Sequence, residues 1–186
     1  MSNRRNRALE LLHQHIKNPK MIAHCLASEA VMRKLAIHFR QDEDDWGLCG
    51  LMHDIDVEIT NADPLVHGTL SRSILQPLEM TENAIEAIER HNEMSSDMPR
   101  DKIIHHALAA AETITGLVFA TAMVYPDKKI SSVKAKSVVK RMKEKLFAAS
   151  VKRENIMECE LIGISISDFA LMTIDALSPI QEELGF

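Results

Sequence analysis

The stretch GLCGLMHDIDVEIT, Gly47 to Thr60, begins as the apolar end of a helix and turns polar at His53-Asp54. An imidazole and a carboxylate stand side by side where the apolar run stops. The pair reads equally as half of a metal site, as a helix end satisfying its own charges, or as chance, and the dipeptide alone decides nothing. Adjacent helical residues point about 100° apart, so His53 and Asp54 converge on one point only where the helix ends or bends. The change from LCGLM to DIDVEIT predicts that it ends there.

Outward from this stretch the chain reads as helix after helix. Arg5 to Ile16 carries Leu9, Leu12 and Ile16 on one face. Asn18-Pro19 is a cap followed by proline at the first helical position, which predicts a helix from Pro19 to about Phe39. The acidic RQDEDD suits the first turn of the helix that reaches His53. DVEITNAD reads as a loop, Pro64 as the start of a helix toward Leu75, and Thr81 as the cap of a short helix reaching Arg90. Arg100 to Tyr125 is the longest candidate, apolar nearly all round after Ala107 and therefore central. A basic helix from about Val133 to Phe147 follows, then a last one from about Ser167 to Leu184-Gly185. The expectation is a single all-α domain over residues 1–186, of seven to nine helices, with the segment from about 127 to 186 packed on the core.

Composition agrees with this reading. The 186 residues include six Gly and six Pro, with 4% aromatics, leaving little material for a sheet. No run of about 18 apolar residues is present, so no membrane span is expected. The N-terminal MSNRRNRALELLHQHI lacks the continuous apolar stretch of a secretory signal. Cys25, Cys49 and Cys159 are odd in number and widely spaced, which predicts reduced core thiols in a cytoplasmic protein and excludes a CxxC zinc site. The net charge of -5 is uneven: from Asp127 to Arg153 ten Lys/Arg stand against two Asp/Glu. Such a segment suits an anionic ligand, or equally a solvated face paired with acidic neighbours.

Two further positions bear on His53-Asp54. His24 lies in an otherwise apolar helix, where a lone histidine is more often a satisfied core residue than a ligand. Glu112 sits inside HALAAAETITGL, and a carboxylate there is costly unless paired, protonated or bound to a cation. Two imidazoles and two carboxylates directed into a bundle give mixed N/O ligation. That set suits a divalent Mn, Fe, Zn or Ni, with Mg as a further candidate.

His24, then His53-Asp54, then an acidic residue on a later buried helix resembles the H…HD…D signature of the HD-domain metal-dependent phosphohydrolase superfamily. HCLASEAVM, WGLCGLMHDID, HGTLSRSIL, AIERHNE and AAETITGLVFATAMVYPDKKISSVKAKSVVKRMKEK are similar to successive segments of its small HDIG-type bacterial and archaeal members. The resemblance implies an all-α HD fold in which His24, His53, Asp54 and Glu112 hold a divalent metal. Glu112 departs from the signature, which has Asp. Members with two metals use further histidines; His67 matches the first and His91 the start of a later pair, whose second place is taken by Asn92. The second site is therefore expected to be incomplete, with His67 and His91 contacting a substrate phosphate instead. His105 and His106 are read as structural or surface residues, and His13, His15 and His38 receive no role.

The activity expected is metal-assisted hydrolysis of a small phosphorylated substrate, such as a nucleotide or phosphomonoester. Asp54 and His53 carry the catalytic role, Asp54 accepting a proton from water besides ligating. Lys128, Lys129, Lys136, Lys140 and Arg141 are candidates for the phosphoryl oxygens. No aromatic residue interleaves with these cations, which disfavours nucleic acid. A homo-oligomer is compatible with the sequence. Two other readings remain: a degenerate HD domain that binds a nucleotide or partner without turnover, and a paired-iron oxygenase on the same scaffold.

Overall fold

Nine α-helices and three single-turn 3-10 helices make up the regular structure of residues 3–186, which the computed structural model describes, and no strand occurs among them. The α-helices are α1 (Asn3–His15), α2 (Pro19–Phe39), α3 (Glu43–Met52), α4 (Ser71–Leu75), α5 (Glu82–Glu89), α6 (Ile103–Met123), α7 (Ala135–Met142), α8 (Arg153–Leu161) and α9 (Ile166–Leu177). Side-chain caps start four of them. Asn18 accepts the Lys20 N–H at 2.9 Å, Asp42 that of Asp45 at 2.7 Å, Thr81 that of Ala84 at 3.3 Å, and Ser165 that of Asp168 at 3.2 Å. Each cap satisfies a donor that the first helical turn leaves unpaired.

The centre of the fold is α2 against α3 and α6, with α8 laid along α6 and α9 closing the far side of α2. One apolar core runs from Ala8 and Leu12 of α1 through Leu35, Leu51 and Leu108 to Val138, Ile156 and Phe169. The C-terminal segment thus shares its core with the rest. Each fully buried Leu or Phe contributes about 1.5–3 kcal/mol. α3 and α2 approach closely because position 50 is glycine: a Cβ there would lie 2.5 Å from the Ser28 carbonyl oxygen. On α2, Glu29 is buried between Arg5 (2.6 Å) and Arg33 (2.9 Å), joining α1 to α2 through a charge that removal of its partners would strand.

The helix α6 is long and apolar enough to cross a membrane by length and composition, a feature the sequence reading did not register, and most of it is buried within the protein. Its burial against α2, α5 and α8 accounts for its composition.

Four expectations about the helices are corrected. Residues from Pro64 to Leu70 form turns, and only Ser71–Leu75 is helical. There the N–H groups of Gly68 and Leu70 donate to the Asp56 carboxylate, and Asn92 holds the carbonyls of Pro64 and His67, so side chains take the bonds a helix would use. Gly68, at φ 99°, turns the chain out of helical geometry. The basic helix stops at Met142, because the Arg153 guanidinium gathers the carbonyls of Glu144, Phe147, Ala148 and Val151 into a compact turn. α9 ends at Leu177, before Ser178-Pro179, where proline lacks the N–H that would continue the helix. Finally, α8 was not anticipated at all; it buries Ile156 and Cys159 on one face and has no side-chain cap.

Candidate metal centre

Five segments converge on one cavity. α2 contributes His24, the end of α3 Asp54, with His53 buried directly behind, the 63–70 turn His67, the end of α5 His91, and α6 Glu112. After Met52 the helix tightens into short turns, with Ile55 N–H donating to Met52 and Val57 N–H to Asp54. That break lets His53 and Asp54 face the same point, as the sequence requires of a shared site.

The histidine tautomers follow from the partners of Nδ1. His53 Nδ1 donates to the Gly50 carbonyl at 2.8 Å, and His91 Nδ1 to the Ile88 carbonyl. The Thr115 hydroxyl donates to the Glu112 carbonyl at 2.6 Å, so it accepts at 3.0 Å from His24 Nδ1. Each of these rings therefore turns its Nε2 into the cavity. His24 Nε2 and His53 Nε2 lie only 3.2 Å apart. Asp54 Oδ2 lies 3.3 Å from His53 Nε2 and 3.6 Å from His24 Nε2, and Glu112 Oε2 is 3.9 Å from His24 Nε2. Ligands bonded at about 2.1 Å around one cation stand about 3.0–3.4 Å apart, so the closer pairs fit neighbouring positions on a single ion.

A second group meets on the other Asp54 oxygen. Oδ1 lies 2.9 Å from His67 Nε2 and 3.5 Å from His91 Nε2, and the two Nε2 atoms are 3.0 Å apart. Asn92 takes no part in this group, and Asp54, His67 and His91 bring three candidate donor atoms within 4.8 Å of one another without it. The Asn92 amide instead donates to the carbonyls of Pro64 (2.7 Å) and His67 (3.0 Å) and holds the turn that carries His67. Asp54 thus offers one oxygen to each of two adjoining positions.

Electrostatics match this arrangement. Burial opposes ionisation of Asp54, but the surrounding imidazoles of His53, His67 and His91 hold its carboxyl well below the usual range. Burial, helped by neighbouring His53, lowers His24 to about 4 and keeps it neutral. Burial raises Glu112, which remains costly as an anion unless a cation compensates it. His67 is also desolvated, yet Asp54 and Asp56 push it up to about 9. A metal-free centre therefore carries a proton where a cation would bind.

Asp56 is a functional candidate that the sequence reading missed. Fully buried, its carboxylate accepts from His67 Nδ1 at 2.8 Å, Gly68 N at 2.9 Å and Leu70 N at 3.1 Å. It orients the His67 ring as an outer-shell carboxylate orients a metal-binding histidine. Its signal lay in the opening stretch, as the fourth residue of HDID.

Other candidates lie elsewhere. Lys136, Lys140 and Arg141 do not line the cavity. α7 packs on α9 and α6; Lys140 is exposed, and Arg141 stacks over Phe147 at 4.2 Å while pairing with Glu144. Lys128 and Lys129 are likewise absent from its walls, where the cation is Lys152. His105 is buried beneath the start of α6 and accepts the N–H groups of Asp101 and Lys102, and His106 pairs with Glu158 at 2.7 Å. The three cysteines are buried free thiols; burial keeps Cys25, beside Asp54, protonated.

The HD domain family model matches residues 21–123, a span that holds every donor described above. The chain belongs to the HD-domain metal-dependent phosphohydrolase superfamily. HD domains bind divalent metals, and the His, Asp and Glu groups here could hold them. No curated protein and no solved structure matches the chain significantly.

Proposed function

We propose that this protein is a divalent-metal-dependent phosphohydrolase acting on a small phosphorylated substrate. One observation carries the reading: two pairs of imidazole Nε2 atoms, His24 with His53 and His67 with His91, face each other at 3.2 and 3.0 Å across the two oxygens of Asp54. Nitrogen atoms so placed need a cation between them or, in its absence, a proton. The donors are mainly nitrogen, which favours Mn, Fe, Ni or Zn over the oxygen-seeking Mg. Bound there, a pair of such ions would activate water and polarise a phosphoryl oxygen.

The chain's own residues then have distinct tasks. Asp54 would offer one oxygen to each position, and the imidazoles that hold it acidic favour its part as ligand over that of proton acceptor. His53, locked by Gly50, and His24, locked by Thr115, present fixed donors to one side. His67 and His91 serve the other side as ligands instead of gripping phosphate. Glu112 reaches the first group despite its extra methylene.

Elemental analysis of protein purified without added metal, with a phosphate-ester panel in Mn, Co, Ni, Zn and Mg, tests this. The expected result is up to two ions per chain and hydrolysis that His53→Ala and Asp54→Ala each abolish. Full activity in a metal-free double variant would overturn it. Nucleotide binding without hydrolysis would favour the degenerate reading. Two positions also suit paired irons, and iron-dependent consumption of oxygen in place of ester hydrolysis would favour the oxygenase.

A further inference from the structure

The wall of the cavity facing the donor cluster is built by the start of α8 and the segment after α5: Glu93, Val151, Lys152 and Asn155 line the same space as His24, Asp54 and Glu112. Lys152 is the one Lys or Arg among the lining residues, and its ammonium is paired with Glu93 from the opposite lip. Both side chains are about half exposed, at 50% and 43%. An exposed pair of this kind contributes little to stability and exchanges readily for another anion. Glu93 would not be stranded by the exchange, because Arg100 lies 3.6 Å from its carboxylate.

Behind Lys152 the wall presents further donors. Asn155 is only 7% exposed; its Oδ1 accepts from Arg100 Nη2 at 3.4 Å, and no hydrogen bond occupies its amide Nδ2 among the described residues. Lys152 is the N-cap of α8 but supplies no side-chain cap, so the first-turn N–H groups remain available to an anion. Arg153 does not compete, because its guanidinium is turned into the carbonyls of the preceding turn.

We propose that Lys152 and the Asn155 amide bind the phosphate of a small monophosphate ester, and that Glu93 occupies the lysine until that phosphate displaces it. The inference rests on the hydrolase reading of the same cavity and adds its substrate class. Size and charge select that class. The cavity holds about 310 Å³, the small end of ligand sites. One lysine beside a phosphate-binding metal pair matches one phosphate dianion. A triphosphate would bring two more charged groups into a small cavity whose lining holds one lysine, past the exposed carboxylate of Glu93.

The test is calorimetric binding of inorganic phosphate to the manganese-loaded full chain, wild type against Lys152→Met and Glu93→Gln, with a nucleoside monophosphate and its triphosphate as competitors. Expected are at least tenfold weaker phosphate binding in Lys152→Met, several-fold tighter binding in Glu93→Gln, and at least tenfold preference for the monophosphate. Metal content stays at the wild-type value in both variants. Equal phosphate affinity in wild type and Lys152→Met, or no phosphate binding at millimolar concentration, overturns the proposal even if esters are hydrolysed. Preference for the triphosphate overturns the substrate class. Lysine-dependent phosphate binding without hydrolysis of any ester leaves the phosphate site standing and sinks the hydrolase reading instead.

Discussion

Replacing Asp56 by Asn tests whether the second group of donors is held in place from outside. The carboxylate is fully buried and accepts three hydrogen bonds, from His67 Nδ1 and the N–H groups of Gly68 and Leu70. An amide keeps one accepting oxygen and turns an NH2 toward the remaining donors. At least one buried N–H then loses its partner and the others lose a charged acceptor. Hydrogen bonds to charged groups contribute about 1.5–3 kcal/mol and an orphaned buried donor costs about 1–3 kcal/mol, so the expected loss is about 2–4 kcal/mol. For a chain of this size that lowers the melting temperature by about 10 °C. The depressed carboxyl of Asp56 also sets the pH window. Its stabilisation is present above the unfolded value near 3.8 and is lost as pH falls through the lower folded value, so the difference between variant and wild type should hold from pH 5 to 8 and shrink in stronger acid. Freed of its orienting partner, His67 should bind metal about 10- to 100-fold more weakly, with the ion held by His24 and His53 retained. Thermal unfolding and metal titration measure both effects. An Asp56→Asn protein that melts within 2 °C of wild type and binds two ions unchanged would refute this account.

His67→Ala should reduce metal content to the ion on the His24 and His53 side, read by elemental analysis after dialysis; loss of all metal would argue against two positions. Gly50→Ala drives a methyl to 2.5 Å from the Ser28 carbonyl oxygen and 2.9 Å from Glu29 N, so α3 must shift along α2 at a cost of at least about 2 kcal/mol, seen in urea unfolding. That shift displaces His53 from His24 and should weaken metal binding as well. In chelator-treated protein, the raised His67 pKa contributes stability that is full below the unfolded value of 6.5 and disappears as pH rises through about 9. Unfolding of the metal-free protein should therefore become easier between pH 6.5 and 9.5, and metal binding near pH 7 should release protons that buffer-dependent calorimetry detects.

The helical course of the N-terminal half was legible because its signals are local. Asn18-Pro19, Asp42 and Thr81 cap helices through side chains two or three residues from the N–H groups they satisfy. The 64–70 turn and the 143–151 turn were not legible, since what replaces their helical bonds comes from Asp56, Asn92 and Arg153. Spacing reports which helix a segment could form, and says nothing of a distant side chain that takes its carbonyls.

The same division holds at the site. His24, His53, Asp54 and Glu112 could be named from sequence because the spacing H…HD…acid resembles the HD-domain signature, to which the cost of burying Glu112 unpaired adds only a general reason, and the family model matches residues 21–123. By itself the sequence determined the helical class, the metal-binding family and the residues of the first donor group. Tertiary structure alone decided that Asp54 faces two groups, that His67 and His91 complete the second, and that Lys152 replaces the α7 cations at the cavity wall. Those outcomes depend on the directions of lone pairs and on which helix end meets which, quantities set by packing of α8 and the 63–70 turn against α6 and α5. No periodicity encodes them, because each residue involved is local to its own segment and meets the others only in the folded chain.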